Sequence, residues 1–372
     1  MRIVQLTSVH QWNDVRIFVK MCRSLARDGH EVHMVAPREN APETELVDGV
    51  NVHAVPMPRN RLERIRRTAR AVAARAESLQ GDLYHFHDPE LIRPMLAAQE
   101  RTGRPAIYDV HEDYRDQIQT KKWLPPGSRK LVSWLFGRVE DRCTPRLAAV
   151  VCTSPHIARR FHSNPALTVI QDYPVLEEFL VEETAPEERI AGRFVFIGEI
   201  TAIRGIREIA EALPAAGPSA RLALGVSWED SRFREKVAAT PGWRQVEELG
   251  YLPREAVKRE LARAVAGLIF YAPLPNHYFS QPTKLFECMA AGLPLLVSDF
   301  PYWRSIIEEI GCGLLADPTQ PEKIAQLMRW VADHPEEARE MGKRGREAAR
   351  SRFNWAGEYR KLTGLYERLI HP

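Results

Sequence analysis

Lys284 and Glu287 stand three residues apart in the segment Pro282-Thr283-Lys284-Leu285-Phe286-Glu287-Cys288-Met289, shortly ahead of the apolar run Leu295-Leu296-Val297-Ser298. On a helix that spacing puts both side chains on one face. Near a helix N-terminus, free N–H groups and the helix dipole already favour an anion, so Lys284 there can neutralise a diphosphate. Glu287, one turn on, can accept two hydrogen bonds from vicinal hydroxyls such as those of a ribose. An ordinary ion pair on an amphipathic helix would leave the same trace. A second group of reactive side chains closes two neighbouring apolar runs. His111 follows Ala106-Ile107-Tyr108-Asp109-Val110 and precedes Asp113, while His85, His87 and Asp88 end the run that starts at Leu83. Ligands of open α/β sheets bind at the carboxyl ends of strands, which makes His111 a candidate site residue. A satisfied core histidine is the other reading. A metal site built with Asp113 is a third, although the chain has no H-E-x-x-H and no complete ligand set.

These groups need elements to hold them. Short β-branched runs alternate with helical segments almost throughout, the pattern of parallel sheets covered by helices on both faces. Strands are expected at residues 3–7, 31–36, 51–55, 83–87, 106–111, 149–153 and 167–171 in a first half. A second half should hold strands at 194–197, 222–226, 247–251, 267–271, 294–298 and 313–316. Gly29 reads as a left-handed helix cap. Periodicity fails in the acid-rich stretch 177–188, which contains Pro186 and reads as a linker. Residues 322–369 read as mostly helix.

At 372 residues the chain exceeds what one hydrophobic core usually fills, so two domains are expected. A 44% hydrophobic and 27% charged composition is that of a globular protein. Five scattered cysteines without a C-x-x-C pair argue against a disulfide framework or zinc knuckle, and fit a reducing cytoplasm. The first residues carry no signal-peptide apolar core, and no run reaches the roughly 20 residues that span a bilayer. Residues 1–170 hold 26 Lys and Arg against 19 Asp and Glu, while 171–372 hold 26 against 30, so the basic surplus lies in the first half. Neither G-x-G-x-x-G after the first strand nor G-x-x-x-x-G-K-[ST] occurs, which argues against a standard nicotinamide or P-loop enzyme.

Taken in order, several segments resemble the retaining GT-B glycosyltransferases of the large family 4, also called group 1. They are His10 to Phe18 (H-x-x-x-D-x-R-I-F), Gly29-His30-Glu31-Val32, Phe86-His87-Asp88-Pro89-Glu90-Leu91, Tyr108 to Tyr114, Val169 to Pro174, Pro282 to Pro294 and Gly311-Cys312-Gly313-Leu314-Leu315. The resemblance covers nearly the whole chain. It implies two Rossmann-like, doubly wound α/β domains facing a central cleft. The expected division is an acceptor-side domain over 1–172, a linker over 173–192, a nucleotide-sugar-binding domain over 193–354, and a last helix over 355–372 that packs back on the first domain.

By the same resemblance, His111 lies against the donor sugar, and Arg204 and Lys284 clamp the diphosphate. Gly198, Tyr251, Leu252 and Glu287 hold the nucleotide, and His10, Asp14, Arg16 and Asp113 face the acceptor. The chain departs from the family at two places. Phe279 stands where a Glu usually touches the donor sugar, leaving Ser280 and Gln281 beside it to supply polar contacts. Glu199 stands where an Arg is usual, so one cation of that loop survives, as Arg204.

The expected reaction is transfer of a sugar from a UDP- or GDP-linked donor to an acceptor hydroxyl in glycoconjugate or polysaccharide synthesis, with retention and without a metal or other cofactor. The absence of an Asp-x-Asp pair agrees with a metal-free course. Were the outcome inverting, Asp14 or Asp113 would be candidate bases. A nucleotide-sugar epimerase of the same fold, a noncatalytic sugar-nucleotide or glycan-binding protein, and a metal hydrolase are the rivals. No nucleic-acid partner is expected. Two basic stretches, Arg59 to Arg75 and Lys121 to Phe136, mix cations with Trp123, Trp134, Leu135 and Phe136. They suggest either solvated helix faces or peripheral docking on an anionic membrane, there to reach a lipid-linked glycan.

Overall fold

The computed structural model describes residues 1–121, 123–179, 189–225, 227–274 and 277–371. Lys122, most of the acid-rich stretch 177–188, Val226 and Pro372 therefore lie wholly or partly outside the described residues among the segments named above. The chain forms two compact units, Met1–Asp172 with Ala356–Pro372, and Tyr173–Trp355.

In the first unit, eight strands form one sheet. They are β1 (Arg2–Leu6), β2 (Glu31–Pro37), β3 (Thr44–Val47), β4 (Val50–Val55), β5 (Leu83–Phe86), β6 (Ala106–Val110), β7 (Ala149–Cys152) and β8 (Leu167–Val169). The order across the sheet is β3-β4-β2-β1-β5-β6-β7-β8, and every pairing is parallel except β3 with β4. The central strands β5, β6 and β7 are fully buried, and β1 is buried beyond its first residue, because helices cover both faces.

β3 was not expected from the sequence. It forms a hairpin with β4 through Asp48 and Gly49, both at positive φ (48° and 80°), which is the mirror-image turn an Asp-Gly pair favours. That dipeptide between Val47 and Val50 was the signal available for it.

The second unit holds β9 (Arg193–Ile197), β10 (Arg221–Gly225), β11 (Val246–Gly250), β12 (Ala266–Ile269), β13 (Leu295–Ser298) and β14 (Gly313–Ala316) in the all-parallel order β11-β10-β9-β12-β13-β14. Tyr173 and Phe179 are already buried in this unit's core, with Tyr173 edge-on to Phe286 and Phe353. Each sheet reverses its winding once, between β1 and β5 in the first and between β9 and β12 in the second. Loops diverge at such a point and leave a crevice beyond the carboxyl ends of the strands.

Candidate functional site

Beyond β1, β5 and β6, the first unit collects His10, Asp14, Asp88 and His111. Asp88 is buried, and its Oδ2 accepts from the Thr7 hydroxyl and the Ser8 N–H, both at 2.6 Å, and from the Val9 N–H at 3.2 Å. That knot fixes the turn leading to His10. His10 then bridges two acids, with Nδ1 at 3.4 Å from Asp14 and Nε2 at 3.6 Å from Asp88. Its ring centroid lies 4.9 Å from that of His111. Burial alone would lower the His10 imidazole, but the Asp14 hydrogen bond and the Asp88 charge raise it above its ordinary value. Burial likewise opposes the charge on Asp14, yet His10 and the Ile17 N–H hold that carboxyl far below the usual carboxylate range. Asp14 also caps the helix Val15–Cys22, accepting from the N–H groups of Arg16 and Ile17.

Beneath this group lies Asp109, a fully buried acid inside the otherwise apolar strand β6. A buried carboxylate requires a partner. Arg16 supplies it, donating from Nε to Oδ2 at 2.9 Å and from Nη2 to Oδ1 at 3.0 Å, with a further bond to the Ile170 carbonyl at 3.0 Å. Burial would raise the Asp109 carboxyl, but the Arg16 guanidinium and the His111 imidazole hold it well below the carboxylate range. Arg16, expected to face an acceptor, thus has its guanidinium buried in this pair.

Three imidazoles surround the same carboxylate. His87 Nδ1, His85 Nε2 and His111 Nε2 lie 3.4, 3.7 and 3.7 Å from Asp109 Oδ2. His85, His87 and Asp109 also place ligand atoms within 4.8 Å of one another, a spacing that could enclose a cation. Both carboxylate oxygens, however, already bind Arg16, and a divalent ion beside a buried guanidinium would meet strong repulsion in a low dielectric. The metal reading that joined His111 to Asp113 does not form either. Asp113 accepts from the Asp116 N–H to cap the helix Tyr114–Thr120 and pairs with Arg160.

The two inner histidines have a consequence for stability. Burial lowers His87 to about 4 and pushes His85 well below its ordinary value, so both are neutral at pH 7. Unfolded histidine binds its proton near 6.5, so as pH falls through that value the unfolded chain gains protons that the folded chain refuses. Stability is therefore full above pH 6.5 and is lost on going down toward pH 4. His10, with its raised value, acts in the opposite sense. At pH 4.5 His87 alone should remove about 3 kcal/mol, at 1.36 kcal/mol per unit. Urea unfolding at pH 7.0 and 4.5 checks this, and equal midpoints would contradict it.

In the second unit, β9 runs into Gly198, whose φ is +129°, and a Cβ there would stand 2.5 Å from the Lys284 ammonium. Glycine is what lets that head group lie against the strand end. Lys284 Nζ sits 4.6 Å over the Phe196 ring, and the Arg204 guanidinium sits 4.3 Å over the Tyr271 ring. Burial, and then the Arg204 charge, lower Lys284 to about 8. Two cations press on one another here, at the N-terminal end of the helix Thr283–Ala290. Around them, Arg204 Nε and Thr201 Oγ1 are buried and without a hydrogen-bond partner among the described residues, and the buried Tyr271 hydroxyl faces Arg204. Buried polar atoms left open beside two cations are what a polar, anionic ligand would complete.

Glu287 and Lys284 together line a hollow walled by Phe196, Ile197, Val257 and Leu261. Tyr251 is 82% exposed just after β11, and Leu252 packs over Gly225. Phe279 is 49% exposed. Its neighbours are committed within the unit, since the Ser280 hydroxyl donates to the His277 carbonyl at 3.0 Å and Gln281 donates to the Tyr302 hydroxyl. Glu199 is exposed.

Sequence reasoning named Lys284, Arg204, Gly198 and His111 as site residues and did not name Asp109, Thr201, Tyr271, Gln5 or Tyr366, which the structure sets in the surroundings of these groups. An acid within a buried apolar strand was the signal for Asp109. The others carry no pattern, because only the fold brings them to their partners.

Comparison with known proteins adds the family relation. The description "Glycosyl transferase 4-like domain" matches residues 15–166, and "Glycosyl transferases group 1" matches residues 183–348. The chain is similar to the D-rhamnosyltransferase WbpZ of Pseudomonas aeruginosa, with 24% identity over 280 residues covering 74% of this chain and 70% of that protein. It is also similar to the MMP alpha-(1->4)-mannosyltransferase of Mycolicibacterium hassiacum, with 22% identity over 315 residues covering 82% and 74%. Among solved structures, sucrose-phosphate synthase from Thermosynechococcus elongatus superposes with a TM-score of 0.77 at 20% identity, covering 100% of this chain and 99% of that one. Anabaena HepE in complex with UDP-glucose does so with a TM-score of 0.73 at 13% identity, covering 99% and 100%. At such identities the structural likeness speaks for the fold.

Proposed function

The chain belongs to the GT-B glycosyltransferases of the family 4, group 1 type, and we propose that it moves a sugar from a nucleoside diphosphate to an acceptor hydroxyl with retention and without a metal. The observation that carries this reading is the Lys284–Arg204 pair with its open buried polar atoms at the β9–β12 switch point. The UDP and UDP-glucose bound to HepE support a nucleotide-linked donor.

As the bond from the anomeric carbon to the phosphate oxygen breaks, negative charge gathers on the diphosphate and positive charge on the sugar ring. Lys284, Arg204 and the helix N-terminus stabilise the first without reorganising. Glu287 takes the ribose hydroxyls, and His111 lies against the sugar. In a same-face reaction the departing phosphate oxygen takes the proton of the attacking hydroxyl, so no protein base is required. His10 and Asp14, each of which favours the charged form of the other, face the acceptor.

Incubation with UDP- and GDP-sugars, with and without EDTA and with glycan acceptors, tests this. Acceptor-dependent release of nucleoside diphosphate, unchanged by EDTA, is expected. Conversion of one nucleotide sugar to its epimer without acceptor would favour the epimerase, and binding without turnover a noncatalytic role.

We further propose that the acceptor is lipid-linked and is met at an anionic membrane face. No helix among the described residues is long and apolar enough to cross a membrane. Trp123, Trp134 and Leu135 are 51%, 54% and 51% exposed, while Phe136 is half-buried against Tyr114. Arg61 stacks on Trp123 at 4.4 Å and Arg138 on Trp134 at 4.7 Å, so cations flank the exposed rings. Leu62, Ile65 and Leu131 are exposed on the same two helical stretches. Each nearby cation adds about 1 kcal/mol on an anionic surface before screening. Co-sedimentation with anionic vesicles should fall with salt and drop when Trp123, Trp134, Lys121, Arg129 and Lys130 become Ser. Equal sedimentation with neutral vesicles would point to a soluble acceptor.

A further inference from the structure

A continuous buried hydrogen-bond chain runs from the last helix, Trp355–Ile370, to His111. The Tyr366 hydroxyl lies 2.6 Å from His85 Nδ1 and 2.9 Å from Gln5 Nε2. Gln5 Oε1 lies 2.8 Å from His87 Nε2, and His87 Nδ1 lies 3.0 Å from His111 Nε2. Tyr366, Gln5, His85 and His87 are all inaccessible to solvent. Such a chain has two self-consistent directions, because each neutral imidazole donates from one nitrogen and accepts at the other.

In the first direction the Gln5 amide donates to Tyr366, Tyr366 donates to His85 Nδ1, His87 donates from Nε2 to Gln5, and His111 donates from Nε2 to His87. The second requires the Gln5 amide turned over, its oxygen accepting from Tyr366 and its nitrogen donating to His87, and there the remaining donors and acceptors exchange. Asp109 decides between them. In the first direction the Nε2–H of His85, which has no other partner among the described residues, faces the carboxylate at 3.7 Å, while the His111 N–H is spent on His87. In the second His85 turns a lone pair toward the carboxylate, and the His87 N–H is spent on His111. A charged oxygen in a dry interior favours the arrangement with more N–H groups aimed at it.

We infer that Tyr366, Gln5 and His87 are positioning residues that hold His111 with its proton on Nε2, leaving Nδ1 as the acceptor of the ring. The inference rests on the reading of His111 as the group against the donor sugar, and it deepens that reading: His111 accepts a hydrogen bond from a sugar hydroxyl rather than donating one to a ring or phosphate oxygen. The last helix then contributes to chemistry through Tyr366 without touching substrate. Burial of His87, which keeps it neutral, is what leaves its Nδ1 free to accept.

The test is a long-range proton–nitrogen spectrum of the full chain labelled at the histidine rings, without nucleotide, with His111 assigned by a His111→Asn variant. A protonated Nε2 and bare Nδ1 are expected for His111. Tyr366→Phe keeps the ring but removes the hydroxyl, and should shift His111 to a mixture of tautomers and lower kcat about tenfold in protein that is still folded at the assay temperature, the size of one lost hydrogen bond. Gln5→Met, which cuts the chain elsewhere, should do the same. A proton on Nδ1 of His111 in the unaltered protein would overturn the inference, as would an unmoved His111 signal in both variants. So would a stoichiometric metal in the purified protein, since it would take the lone pairs the chain requires. The spectrum stands whether or not any sugar is transferred, so failure of the transferase reading and failure of this one are separable.

Discussion

Arg16→Ala should cost about 3 to 5 kcal/mol of folding stability, the usual effect of removing one partner from a buried ion pair. The cause is Asp109, which the change would leave charged, dry and without its two guanidinium bonds. The two inner imidazoles cannot replace that cation at pH 7, because burial keeps His85 and His87 neutral. The Ile170 carbonyl at the start of the segment after β8 would lose its donor as well. Urea unfolding of the first unit's signals gives the measurement. The double change Arg16→Met with Asp109→Leu should recover much of the loss, since replacing a buried pair by apolar groups of similar volume is often neutral. A single variant as stable as the original protein would mean that Asp109 is already protonated.

Lys284→Ala and Arg204→Ala should each weaken nucleoside diphosphate binding by about 1 to 3 kcal/mol, as expected for a charge-assisted hydrogen bond. Neither side chain supports the core. Lys284 caps an apolar ring face and crowds Arg204, so its removal relieves repulsion in the empty site. The same crowding gives a pH signature. Lys284 must be protonated to hold an anion, and in the empty site it loses its proton near 8. Binding an anion raises that value, so affinity is full below about pH 8 and declines as pH rises above it. In the Lys284→Ala protein the decline should vanish. Calorimetric titration with UDP and GDP from pH 6.5 to 9.5 measures both effects, and equal affinity in all three proteins would remove the diphosphate assignment.

How far residues alone led can be judged from these two sites. Lys284 and Glu287 were legible because a helix is a local object: three residues of spacing set their common face before any fold is known. Strand positions were legible for the same reason, as β-branched runs bounded by turns. Arg16 was found but misread, since an H-x-x-x-D-x-R motif says nothing of an acid 93 residues away. Tyr366 and Gln5 lie 361 residues apart, and no local pattern could join them. Ser280 and Gln281 looked available in sequence, yet the His277 carbonyl three residues back engages Ser280 and the Tyr302 hydroxyl engages Gln281.

The last helix also bears on synthesis. Leu362, Leu365 and Tyr366 are wholly buried in the first unit, and Glu358 accepts the Gln171 N–H at 2.8 Å, so that unit's interior is assembled from both ends of the chain. A ribosome delivers Met1–Asp172 first, but that stretch emerges without the tyrosine that closes its histidine network and must wait for the whole of Tyr173–Trp355 to appear. The half made first is therefore finished last, and the second unit, being continuous, can fold ahead of it. During that interval Gln5 and His85 lack the hydroxyl that engages them in the finished unit.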